Sequence, residues 1–216
     1  MSICARRRSE SGQSTLVEIG ATLILLAIVM ALLYSSVDSA GRTVAATSLR
    51  VDNLDEARTL MAVLTKDIRT ATRLQAGSAP FVVADAREVT FYANLDNPTG
   101  GPRRVRIYVD SGNVIIASVQ QPDASSVAPN YTYTGPAKLR YVGRYLANTS
   151  ANPVFAYFDE DGTQLTTPLS DPDKLAVASV RITLMVRSTT SLPVGNVTVV
   201  DQVRLPNVEY QATAGS

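Results

Sequence analysis

The apolar positions of this chain change period along its length, and each change marks a boundary. From Ile19 to Val37 no residue carries a formal charge. That run is close to the ~20 residues that span about 30 Å of hydrocarbon at 1.5 Å per helical residue, so it predicts a transmembrane helix. A cleaved secretory signal has a shorter core, of roughly 7–15 residues, with a small-residue cleavage site behind it. Ser35, Ser36, Ser39 and Ala40 offer such a site, but the core here is longer. Past Asp38 the apolar positions continue at Val44, Val51, Leu54, Ala57, Met61, Leu64, Ile68 and Ala71, steps that keep to one helical face. Arg50, Asp52, Asp55, Glu56, Arg58, Lys66 and Asp67 fill the other faces, and no proline precedes Pro80. A single helix is predicted from about Ser14 to about Leu74, on the order of 90 Å long, with Gly41 as its weak point.

After Gly77-Ser78-Ala79-Pro80 the period becomes two. Val89, Phe91, Ala93 and Leu95 alternate with Thr90, Tyr92 and Asn94, the pattern of a strand with one buried face. A turn over residues 96–102 leads to Val105, Ile107 and Val109, and Asp110-Ser-Gly-Asn113 leads to Val114, Ile115 and Ile116, which predicts an antiparallel meander. Gln120 to Gly135 reads as a long connection, a recognition loop or a merely variable one. Phe155 to Phe158, a turn at Asp159-Glu-Asp-Gly162 and Gln164-Leu165 form a predicted hairpin. Two long strands follow, Val177 to Val186 and Val197 to Leu205, separated by a polar turn at 188–195. The expected class is α+β: a long N-terminal helix with a transmembrane inner half and an amphipathic outer half, the latter packed on an antiparallel β-sheet.

Composition narrows the chemistry. Twenty Lys and Arg stand against nineteen Asp and Glu, so no global field recruits nucleic acid. There is no His, and the single cysteine is Cys4. Those counts remove internal disulfides, zinc sites and Cys-His or Ser-His-Asp catalysis. No Ser-Lys or paired-carboxylate constellation stands out either. Neither an enzyme nor a cofactor is expected. Arg6, Arg7 and Arg8 precede the apolar run and retain the N-terminus in the cytoplasm, giving a single-pass, N-in and C-out topology.

Glu18 does not suit an ordinary anchor, because it lies at the cytoplasmic edge of the apolar run behind Thr15, Leu16 and Val17. A charge at the centre of a spanning helix costs roughly 2.5–3.5 kcal/mol, and less near an edge, so such a residue either snorkels to the interface or has a partner. Cleavage just ahead of it would create an α-ammonium that a neighbouring subunit could offer to the carboxylate, setting register between subunits. Gly12, the Thr15-Leu16-Val17-Glu18 stretch and the apolar helix resemble the cleavage and N-methylation segment of type IV pilins and pseudopilins. The wording around Gly12-Gln13-Ser14 and Val17-Glu18 is similar also to pseudopilins of tight-adherence systems. Leu64-Thr-Lys-Asp-Ile-Arg-Thr-Ala71 resembles the helix end of J-type pseudopilins and PilW-like minor pilins. So does the order of Phe155-x-Tyr-Phe-Asp-x-x-Gly162, a strand from near Val180 and Val203-Arg-Leu-Pro-Asn207.

The resemblance implies that Gly12 is the last leader residue and Glu18 the subunit-docking glutamate. The family has one residue between the glycine and Thr-Leu-x-Glu, whereas Gln13 and Ser14 both stand here. Processing by a prepilin peptidase therefore falls after Gly12 or after Gln13. The implied organisation is a basic leader over 1–12, a transmembrane and assembly helix over 13–38, an amphipathic outer half over 39–76 and an extracytoplasmic β-rich pilin domain over 77–216. The implied partners are other pilin or pseudopilin subunits, the peptidase, an inner-membrane assembly platform and a cytoplasmic assembly ATPase. The expected function is that of a minor pilin or pseudopilin in a type IV pilus or type II secretion-like filament, stored in the cytoplasmic membrane and then assembled outside or at the cell surface. The alternative is a membrane-tethered extracytoplasmic binding domain that does not polymerise.

Three further patterns have plainer readings. Asp159, Glu160 and Asp161 precede a glycine as in a calcium loop, but their spacing is wrong and Pro168 stands where an EF-hand needs its glutamate, so a solvated turn is expected. Asp171 and Asp173 are close in sequence and would add ligands if the loops met, which leaves a calcium site of non-EF type as the alternative. Arg103, Arg104 and Arg106, with Tyr108, form the densest basic patch after the leader. Alternation puts Arg104 and Arg106 on one face and Arg103 on the other, which suits edge protection better than DNA contact. The glycosylation triplets at Asn130, Asn148 and Asn196 arise often by chance. Tyr131, Tyr133, Tyr141, Tyr145 and Tyr157 are expected as sheet and interface residues.

Overall fold

The computed structural model describes the backbone of residues 7–75, 77–95, 100–187 and 195–206, and within those ranges the side chains from residue 16 onward. The chain forms two units, divided between Ser48 and Leu49. Helix α1 (Arg7–Arg69) begins before the expected Ser14, since polar helix formers such as Arg8 and Glu10 extend it. Gly41 does not interrupt it. In the first unit every residue from Ile19 to Val37 is exposed except half-buried Gly20. The apolar window of this helix has a mean hydropathy of 2.6 and none of it is buried, as a single-pass membrane anchor requires.

In the second unit α1 stops at Arg69 rather than near Leu74. The Thr70 amide and hydroxyl both donate to the Asp67 carbonyl, at 3.2 and 2.7 Å, and close the last turn. The next residues then find a strand partner, and β-branched Thr72 suits the extended state. β1 (Ala71–Thr72) pairs with β3 (Glu88–Ala93), whose same edge also receives β2 (Phe81–Ala84). β4 (Arg103–Val109) and β5 (Ile115–Gln120) follow β3 as the predicted meander, and β6 (Lys138–Gly143), a strand the sequence pattern did not predict, pairs with β5 and completes a six-stranded sheet. A second, four-stranded sheet has the order β10-β9-β7-β8, with β7 (Phe155–Phe158), β8 (Gln164–Leu165), β9 (Ser179–Val186) and β10 (Val197–Arg204) all antiparallel. A short α2 (Asp171–Ala176), capped by Ser170, precedes β9. The class is α+β as expected, with the strands shared between two sheets. The turn segments at 96–99 and 188–194 lie outside the described residues.

One core joins these elements. Ala57, Leu60, Met61, Leu64 and Ile68 form the buried stripe of α1, each removing apolar surface worth about 1.5–3 kcal/mol for a large side chain. On the expected stripe, Val44 and Val51 remain 69% and 50% exposed, so full burial begins only at Ala57. Phe81 packs edge-on against both Phe91 and Tyr157, with ring centroids 6.2 and 5.7 Å apart, and so ties the two sheets together. Backbone bonds from Phe155 N to Ala86 O (3.1 Å) and from Leu169 N to Ala84 O (2.9 Å) reinforce that junction. The helix is held at both sides: Arg140 of β6 pairs with Asp67 at 2.6 Å, and the Thr65 hydroxyl donates to Asp201 of β10 at 3.1 Å.

Candidate functional site

Two places carry candidate chemistry, one in each unit. In the first, Glu18 is exposed at the start of the apolar segment and, among the described residues, has no hydrogen bond or ion pair. Within that segment the polar hydroxyls are returned to the helix: Thr22 donates to the Ile19 carbonyl at 2.8 Å and Ser35 to the Leu32 carbonyl at 2.9 Å. Such back-bonding leaves no orphaned donor where no water is present to satisfy it. Asp38 and Arg42, paired at 2.9 Å, mark the far end of the uncharged run. Among the described residues, Glu18 is therefore the one carboxylate set against this apolar surface. Gly12 and Gln13 fall within the backbone bounds of α1, and their side chains lie outside the described residues.

In the second unit the face of the six-stranded sheet turned away from α1 is polar and aromatic. The strand register places Tyr92, Arg104 and Gln120 in one row, Thr90, Arg106 and Ser118 in the next, and Glu88, Tyr108 and Ile116 in a third. Arg106 donates from Nε and Nη2 to the two carboxylate oxygens of Glu88, both at 2.8 Å. Its guanidinium also lies 4.4 Å from the centroid of the Tyr108 ring. The hydrogen bonds to Glu88 raise the Arg106 pKa above its ordinary value. Arg104 is half-buried, and among the described residues its guanidinium has no hydrogen bond or ion pair; its one neighbour of note is the Tyr133 phenol. Between these side chains lies an open pocket of about 380 Å³. As alternation predicts, Arg103 takes the opposite direction from Arg104 and Arg106.

The 120–135 connection is pinned down. Asp123 accepts from the Thr132 hydroxyl at 2.7 Å and from the Thr134 and Gly135 amides at 3.0 and 3.3 Å. These bonds, the Thr132 hydroxyl first, hold its carboxyl below the ordinary aspartate pKa. Gln120 donates to the carbonyls of Tyr133 and Gly135, and the Tyr133 hydroxyl donates to the Pro102 carbonyl at 2.7 Å. Burial raises the Tyr133 pKa above that of a free phenol. The Tyr92 and Tyr133 rings, 5.4 Å apart, wall the side of the sheet face beside Arg104.

The remaining candidates resolve individually. Asp159 accepts from the Thr163 amide at 2.7 Å and Gly162 has φ of +81°, so the acidic stretch forms the β7–β8 turn. Asp171 pairs with Lys174 in α2, and Asp173 bonds with the capping Ser170. Among the described residues no three metal-capable side chains gather. Asn148 is structural, donating to the Asn152 and Thr183 carbonyls and accepting from the Met185 amide. Tyr157 is buried in the core and donates to the Asp85 carbonyl at 3.2 Å, whereas Tyr141 of β6 is 68% exposed. Sequence reasoning found Arg104 and Arg106 but missed the surrounding pocket. The available signal was that Thr90, Arg104, Arg106, Ser118 and Gln120 share one parity across three strands of the meander.

A long N-terminal apolar helix with antiparallel sheet is compatible with a pilin-like architecture. Comparison with family models, curated proteins and solved structures finds no match to this chain.

Proposed function

We propose that the chain is a non-enzymatic minor pilin or pseudopilin subunit, inserted N-in and C-out in the cytoplasmic membrane and then drawn into a type IV pilus or type II secretion-like filament. The observation that carries the reading is the carboxylate of Glu18, without a partner among the described residues, at the mouth of an exposed apolar helix. In the membrane that helix is covered by lipid; in a filament the same surface is covered by sister helices. Burial of Glu18 among them without a cation would cost several kcal/mol, so docking selects a neighbour that supplies one. The new α-amine left by peptidase cleavage after Gly12 or Gln13 would be that cation. The domain beyond Leu49 then presents its loops and sheet face for contacts at the filament tip or along its side.

Intact-mass and N-terminal analysis of the mature protein tests the processing step. Loss of the first 12 or 13 residues together with a methyl group is the expected result. An intact leader in assembled fibres overturns the reading, and an intact or signal-cleaved N-terminus in a chain that never polymerises supports the tethered binding domain instead. Glu18→Ala should leave membrane insertion unchanged and abolish incorporation into filaments, as read by fractionation and immunoblotting of sheared fibres.

A further inference from the structure

Among the described residues, the outer face of the six-stranded sheet holds one cation more than it holds acids. Arg106 is satisfied by Glu88 through a two-pronged bond, and Arg104, two residues along the same strand and on the same face, lacks an equivalent acid among the described residues. Half-burial has already removed part of the solvent shell of Arg104. A guanidinium in that position presents a planar fork of N–H donors, and a planar carboxylate is the acceptor that matches it bidentately. The Arg106–Glu88 pair demonstrates that match one row away on the same sheet. Ser118, half-buried beside it, supplies a further hydroxyl, which makes no hydrogen bond among the described residues.

We propose that the pocket between Arg104, Arg106 and Ser118 binds a carboxylate, with Arg104 as its counter-ion. The charge count selects the ligand class. Arg104, Arg106 and Glu88 sum to one positive charge, which a monoanion neutralises. A nucleic acid would need several phosphate contacts and a face of several uncompensated cations. The volume of about 380 Å³ exceeds a bare carboxylate and admits the organic group that carries it. That carrier is either a small free acid or the side chain of a glutamate or aspartate in a peptide. The proposal is independent of whether the chain polymerises.

The test uses the full chain in detergent micelles with ¹⁵N-labelled arginine and backbone amides, the Arg104 Nε–H signal being assigned by its loss in Arg104→Lys. Sodium acetate should shift that signal and the Ser118 amide saturably, while sodium chloride at equal ionic strength should not. Arg104→Gln and Arg104→Lys should each weaken acetate binding, read at Ser118, by about tenfold or more, because a charge-assisted bidentate bond is lost. The other arginine signals should keep their positions, showing that the fold is intact. An acetylated, amidated Gly-Glu-Gly peptide binding at least ten times more tightly than acetate would assign the carrier to an acidic side chain, and equal binding would assign it to a free acid; both outcomes support the site. Equal responses to acetate and chloride overturn the proposal. So does an oligothymidine that binds this face more tightly than the peptide, with an affinity falling steeply in salt.

Discussion

Gly143 of β6 lies directly against Leu60 of the helix, and substituting it tests whether the packing described for the second unit holds. A Cβ at this position would lie 2.5 Å from Leu60 Cδ2, 3.1 Å from Cδ1 and 3.3 Å from Cγ. Carbon atoms sit best at about 3.5–4.0 Å, so the new methyl overlaps Leu60 by roughly 1 Å. Leu60 is 3% exposed within the close-packed core, so moving its end displaces other core side chains. Gly143→Ala should therefore cost about 1–3 kcal/mol, the usual range for overpacking. At about 2–4 °C per kcal/mol for a domain of this size, the midpoint should drop by roughly 2–12 °C. Thermal unfolding of the full chain in micelles, followed by near-ultraviolet circular dichroism of its tyrosines, reads the shift. Leu60→Ala costs about 2–5 kcal/mol by itself and removes all three clashing carbons. In that background Gly143→Ala should be neutral or slightly stabilising, because alanine restricts the unfolded chain by about 0.4–1 kcal/mol. A raised midpoint for Gly143→Ala alone, or the same loss in both backgrounds, would refute the contact.

Other substitutions address separate parts of the structure. Arg140→Met removes the guanidinium from a carboxylate that is almost wholly buried on the helix, and should cost about 1–3 kcal/mol by the same thermal assay, with less-than-additive loss when combined with Asp67→Asn. Asn148→Ala deletes three hydrogen bonds to backbone and should cost about 1–3 kcal/mol; peptide mass mapping should find Asn148 unmodified even from a host that glycosylates asparagine. Asp123 is favoured in its ionised form by the fold, so its contribution is fully present above the ordinary aspartate value of about 3.9 and is lost as pH falls through its lower folded-state value. Amide exchange at Thr134 and Gly135 should accelerate over that acid range, and Asp123→Asn should exchange fast at neutral pH as well.

Much of the architecture follows from local rules that operate within a few residues. Nineteen uncharged positions must lie in an apolar medium whatever else the chain does, and the three-and-four spacing from Ala57 to Ile68 requires a covered helical face. Alternation likewise determined the meander, the β7–β8 hairpin and the separation of Arg103 from Arg104 and Arg106. Short or two-faced elements were illegible. β1 has two residues, β2 four, and β6 places Leu139 and Tyr141 toward solvent, so none of them carries a strong one-sided pattern. The helix end was misplaced because its capping bond, from Thr70 back to Asp67, competes with a strand partner twenty residues away.

The sequence alone thus determined the apolar N-terminal helix, long enough for an anchor, the position of Glu18, the helix stripe and the α+β class, since each depends on periodicity or on charge near an apolar run. Only the tertiary structure decided that the strands divide into two sheets, that Asp67 meets Arg140, that Gly143 makes room for Leu60, and that Arg104 stands beside a paired Arg106 without an acid of its own among the described residues. Those are choices among distant partners. They are set by which side chains fill one shared core and which charges remain after it closes, and no local pattern encodes that.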